Sequence, residues 1–142
     1  MNSIEYKTTL DLFLDAVGGK WKLLIISKIQ KLPKRPSELK KELPGISQRV
    51  LCQELKELIE DGIVCREVFP EVPPRVEYSL TDYGDTVIPI LEKICEWGKI
   101  HLERLLSMDD RKIIVSDNFD KIGKEKKIIV KRSKRIDKSD CP

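Results

Sequence analysis

The chain has 142 residues, 40% of them hydrophobic and 36% charged, with a formal net charge of +3. That length accommodates one domain and at most an appendage, and its densest apolar run, Leu23 to Ile26, is far too short to span a membrane. The start, MNSIEYKTTLDLFLDAVGG, lacks the basic-then-apolar order of a secretory signal, so the expected location is the cytoplasm. Four cysteines, Cys52, Cys65, Cys95 and Cys141, are scattered without a C-x-x-C pair and with only His101 to assist them. Such spacing speaks against a metal site and for reduced, mostly structural thiols.

The charge is uneven. Residues 111–142 carry 11 Lys and Arg against 5 Asp and Glu, a net +6, which leaves 16 against 19, a net −3, for residues 1–110. We therefore divide the chain into a body, 1–110, and a basic tail, 111–142. Within the tail KKIIVKRSKR, Lys126 to Arg135, has too little apolar surface to fold alone, so a flexible segment is expected. It serves either as an arm for non-specific nucleic-acid affinity or for solubility.

In chain order, Leu10, Phe13, Leu14 and Val17 predict a helix over 9–17, closed by Gly18-Gly19. A second helix follows over 21–29, apolar enough around its circumference to be central. Lys20 and Lys22 at its start face either solvent or a phosphate. Residues 30–35 form a polar link with room for a turn and a very short strand.

Two short amphipathic helices come next, the first capped or begun by Ser37 and the second over 47–60. Leu39 and Leu43 give the first an inner face, Pro44-Gly45 ends it, and Ser47 stands at the N-cap of the second. Leu51, Leu55, Leu58 and Ile59 gather on one side of that second helix, while Gln48, Arg49, Cys52, Gln53 and Lys56 line the other. Helix, tight turn and helix is the arrangement that lays a second helix in a major groove. The polar side chains there suit base edges and phosphates. Cys52 belongs to that face.

Gly62 provides the left-handed turn after the helix. Ile63–Phe69 and Arg75–Leu80 then read as two strands around Pro70-Glu71-Val72-Pro73-Pro74, a hairpin that completes a winged helix. Arg75 has two accounts: it reaches a minor-groove edge or a phosphate, or it pairs with Glu71 or Glu77 and fixes the hairpin. Arg66 is a weaker phosphate candidate.

Thr81 caps the longest predicted helix, 82 to about 106, with a kink expected at Pro89. Leu91, Ile94, Trp97, Leu102 and Leu105 are among more apolar residues than a small body can hide. A second copy is the expected partner, with Leu10, Phe13 and Leu14 of the first helix completing the interface. The competing account has Trp97 and its neighbours covering the monomer's own core. A two-fold dimer places two recognition helices about 34 Å apart and implies an inverted-repeat operator.

Four ordered segments carry a family resemblance: GGKW at 18–21, LPGISQRVL at 43–51, LKELIEDGIV at 55–64 and PEVPPRVEYSLTDYG at 70–84. Over roughly residues 8–107 the chain resembles the HxlR-type transcriptional regulators, winged-helix proteins akin to the multiple-antibiotic-resistance regulators. The resemblance implies an α+β winged helix-turn-helix domain, dimeric through its terminal helices, that binds duplex DNA and changes transcription. It assigns Gln48, Arg49 and Gln53 to the major groove and Arg75 to the wing. Several relatives carry a redox-sensing cysteine where this chain has Thr8, and a hydroxyl cannot form the disulfide such sensing needs. Pro36 replaces an aromatic residue common in relatives, which is expected to loosen packing there.

The function expected is a dimeric, sequence-specific regulator binding double-stranded DNA through Ser47, Gln48, Arg49, Gln53, Lys56 and Arg75. A winged-helix protein adaptor and a non-specific architectural DNA-binding protein are the alternatives. An unidentified small-molecule effector between the long helix and the DNA-binding lobe is compatible with the sequence. No cofactor is called for and enzymatic action is not expected, since His101 has no nucleophile or carboxylate arrangement around it. Gly18-Gly19-Lys20 lacks the spacing of a phosphate loop.

Overall fold

The computed structural model describes residues 3–108, 113–116 and 127–130. It divides into two units, Met1–Ile88 and Pro89–Pro142. In the first unit α1 (Thr9–Val17) begins at a reciprocal cap. The Thr8 hydroxyl accepts the Asp11 N–H at 3.1 Å, and the Asp11 carboxylate accepts the Thr8 N–H at 3.0 Å, so two N–H groups that the helix leaves unpaired are satisfied. The helix α2 (Lys22–Ile29) buries Ile25, Ile26 and Ile29.

Pro36 opens α3 (Pro36–Glu42) at a position where a missing N–H needs no partner, a helix start suited to proline. Glu38 accepts the Arg35 N–H at 3.0 Å. The turn to α4 (Gln48–Glu60) passes through Gly45 at φ +88°, and the Ser47 hydroxyl accepts the Val50 N–H at 3.1 Å. Leu39 and Leu43 from α3 and Leu51, Leu55 and Leu58 from α4 are buried together with the α2 isoleucines. Burying whole leucine and isoleucine side chains contributes about 1.5–3 kcal/mol each, which makes this layer the main source of the unit's stability.

Gly62, at φ +72°, ends α4 with its N–H on the Ile59 carbonyl and the Ile63 N–H on that of Leu58, both at 3.0 Å. The strands β1 (Val64–Phe69) and β2 (Arg75–Leu80) pair antiparallel, Val64 opposite Leu80 and Phe69 opposite Arg75. The short strand anticipated in the link is a bridge between Lys34 and Tyr78, with bonds of 2.9 and 2.8 Å. It fastens the hairpin to the segment that leads into α3.

The predicted long helix is two helices. In α5 (Asp82–Asp85) Thr81 caps the Gly84 N–H at 2.9 Å, as expected, and the Thr86 and Val87 N–H groups turn back onto Tyr83 and Gly84. A new helix, α6 (Ile88–Met108), then starts with Pro89 in its first turn. A proline N lacks the hydrogen a helix interior requires, so it sits at a start rather than in a kinked middle. In the second unit β3 (Ile113–Ser116) and β4 (Lys127–Val130) pair antiparallel. The strand β4 thus falls within residues 126–135, the segment expected to be flexible; the other residues of that segment, and Cys141, lie outside the described residues. Among the described residues no helix is long and apolar enough to cross a membrane.

Candidate nucleic-acid interface

The two faces of α4 are separated as its periodicity requires. Leu51, Leu55 and Leu58 point inward and are 0–2% exposed. Ser47, Gln48, Arg49, Cys52, Gln53 and Lys56 are exposed, Arg49, Cys52, Gln53 and Lys56 on the side away from the leucines and Ser47 and Gln48 at the helix's N-terminal end. Arg49 and Lys56 supply positive charge there, and Gln48 and Gln53 supply both donors and acceptors, the groups needed for phosphate and base-edge contacts. Gln48 donates to the Cys52 sulfur at 3.5 Å. Gln53 donates from Nε2 to Glu57 Oε1 at 3.3 Å.

Behind this face Lys22 is 8% exposed, with its ammonium 3.1 Å from Glu57 Oε2 and 4.0 Å from Glu54 Oε2. Of the two settings expected for Lys22, solvent or phosphate, neither is found: it is turned inward and bonded to α4. The Lys22 ammonium, and after it the Gln53 amide, holds the Glu57 carboxyl below the usual glutamate range. This link from α2 is not visible in the sequence pattern, because the two residues are 35 positions apart in the numbering.

The wing stands beside α3. Arg75 ion-pairs with Glu71 at 3.3 Å and Glu77 at 3.5 Å, and its guanidinium lies 4.0 Å from the centre of the Phe69 ring, its cross-strand neighbour. Both carboxylates named as candidate partners are thus engaged at once, and the arginine closes the base of the loop. Arg66 is exposed on β1. The start of α3 and the proline loop enclose an open cleft of about 450 Å³, lined by Arg35, Ser37, Pro73 and Arg75 among others. Arg35 was not marked by any helical or strand periodicity; only its place before Pro36 at a helix start hints at exposure.

The apolar residues assigned to a partner surface fall into two groups. Leu10 is 61%, Leu14 53%, Ile94 43% and Trp97 62% exposed, whereas Phe13, Leu102 and Leu105 are half-buried. Leu91 is corrected: at 4% exposure it is buried within the chain itself and has no surface to offer. Trp97 is stacked on His101, ring centres 5.1 Å apart, so it does not serve as a buried core aromatic. Cys52 and Cys65 are exposed free thiols rather than packed ones, and Cys95 is half-buried. Among the described residues no group of histidine, cysteine or carboxylate side chains is placed to hold a metal.

Helix-turn-helix, wing and flanking helices lie in one order along the chain, and a family model for the HxlR-like helix-turn-helix matches residues 16–105. The chain belongs to this HxlR-like family. An uncharacterised HTH-type transcriptional regulator of Methanothermobacter thermautotrophicus is 46% identical over 101 residues, 71% of this chain and 77% of that protein. YtcD of Bacillus subtilis, an HTH-type transcriptional regulator, is 41% identical over 105 residues, 74% and 83% of the two chains. Among solved structures, the redox regulator HypR in its reduced form gives a TM-score of 0.66 at 43% identity and covers 70% of this chain and 99% of that one. Its oxidised form gives 0.63 at 44%, covering 65% and 95%.

The expected winged helix-turn-helix fold is therefore confirmed, and this HxlR-like protein is a DNA-binding transcription regulator and not an enzyme. The Thr8 hydroxyl is the N-cap of α1.

Proposed function

We propose that the protein acts in the cytoplasm as a homodimer that recognises a specific inverted-repeat operator. In this reading α4 enters the major groove with Ser47, Gln48, Arg49, Gln53 and Lys56 toward the DNA. The wing near residues 70–75 lies at the backbone or minor groove, with Arg75 fixing the base of its loop through Glu71 and Glu77. A second copy covers the apolar faces of α1 and α6, through Leu10, Phe13 and Leu14 on one and Ile94, Trp97, Leu102 and Leu105 on the other.

The observation that carries this is the division of α4, whose leucines are buried while its hydrogen-bonding side chains stand exposed. The exposed Trp97, Leu10 and Leu14 support a partner, since apolar surface of this kind is removed from water at interfaces. Selection of bound duplexes from a random pool tests the proposal. Recovery of one inverted repeat, with half-sites about 10 base pairs apart, agrees with it; recovery of unrelated duplexes with equal affinity indicates architectural binding, and no binding at low salt indicates an adaptor.

A further inference from the structure

We propose that Glu57, pinned from behind by Lys22, is a positioning residue that fixes the amide of Gln53 and so makes Gln53 select adenine. The proposal rests on the DNA-binding reading of α4 and adds a base preference to it.

Gln53 Nε2 lies 3.3 Å from Glu57 Oε1, and Glu57 Oε2 lies 3.1 Å from the Lys22 ammonium. An amide has a donating and an accepting end, and rotating it by half a turn exchanges them. An ionised carboxylate only accepts, so the Gln53 NH₂ must face Glu57 and the Gln53 carbonyl oxygen must face away. Lys22 sets the other half of the geometry. At 8% exposure its ammonium is confined between α2 and α4, and it occupies the second Glu57 oxygen, leaving the first for Gln53.

The consequence lies in what remains free. One N–H of Gln53 is committed to Glu57, so its oxygen and its second N–H are available at the exposed face of α4. An acceptor beside a donor matches the N6 amine and N7 of adenine in the major groove, whereas guanine offers two acceptors, O6 and N7. Lys22 also neutralises a carboxylate that otherwise repels nearby phosphates. A free glutamine rotates between its two settings and discriminates less.

The test uses the full chain and the duplex that the wild-type protein selects from a random pool, together with every single-base-pair substitution of it. Gln53→Ala identifies the base pair read by Gln53, as the one at which discrimination is lost. Glu57→Gln removes the obligate acceptor while keeping the side chain's shape. It should lower discrimination at that same base pair, an A·T pair, by roughly 10-fold, with little change at the others. The double variant should lose no more than Gln53→Ala alone, the signature of two residues acting as one. Lys22→Met should reduce discrimination at the same pair to a lesser degree, a second route that leaves α4 itself unaltered.

If the wild type selects a duplex but Glu57→Gln weakens all its substitutions alike or leaves their ratios unchanged, the positioning role is overturned and DNA recognition by α4 stands. A Gln53-dependent pair with guanine in place of adenine also overturns it. If the wild type selects no sequence, the regulator proposal falls and this one with it.

Discussion

The ammonium of Lys22, at the first position of α2, lies 3.1 Å from the Glu57 carboxylate on α4. It is a tie between the central core helix and the helix proposed to face DNA. Because Glu57 is itself part-exposed, water screens the pair, and Lys22→Ala should cost only about 1 kcal/mol at neutral pH. The pH dependence has a definite sign. Lys22 and Gln53 lower the Glu57 pKa in the folded state, so the stabilisation is present above the unfolded glutamate value, about 4.3, and is lost as the pH falls through the lower, folded value. Urea melts should therefore show the gap between wild type and Lys22→Ala narrowing below about pH 4.

Gly84 is a second point of sensitivity. A Cβ placed there overlaps the backbone carbonyl oxygen of Ile63, which already accepts the Thr81 N–H at 3.0 Å. Backbone cannot swing aside as a side-chain tip can, so Gly84→Ala should destabilise the first unit by about 1–3 kcal/mol, the usual range for overpacking. Thermal melting of the variant beside wild type measures it, and an unchanged midpoint would show that Ile63 and α5 approach less closely.

How far the fold was legible depended on whether a signal was local. Ser47 and Thr81 were readable as caps because an N-cap needs only its own hydroxyl and the next turn. Gly62 and Gly45 were readable because a left-handed φ is a property of one residue. At Pro89 the structure has a new first turn where the sequence predicts a kink, because proline is compatible with both. Leu91, 4% exposed, shows that helical periodicity marks a residue as apolar but not whether its own chain or a partner covers it. The Lys22–Glu57 pair has no sequence signal, because contact between distant positions depends on packing, which no single segment records.

Association through the terminal helices has its own test. Trp97 and Leu14 are 62% and 53% exposed in the single chain, and a charge placed in an apolar interface is left without a partner. Trp97→Glu and Leu14→Glu should each shift sedimentation toward monomer at micromolar concentration. They should also lower affinity for an inverted repeat by more than ten-fold, because the second half-site no longer adds to the first. Unchanged sedimentation in both variants would place the partner surface elsewhere.

The most direct measurement of DNA recognition by α4 is the binding of Arg49→Ala to the duplex selected by wild type and to its single-base-pair substitutions at fixed salt. Arg49 is exposed on the face opposite the buried leucines. If it reads a base, its removal should cost about 1–3 kcal/mol of discrimination at one base pair in each half-site; if it grips a phosphate, all duplexes should weaken alike and the salt dependence should fall by about one charge per subunit. Affinity, discrimination and salt dependence all equal to wild type would contradict the placement of this face of α4 on DNA.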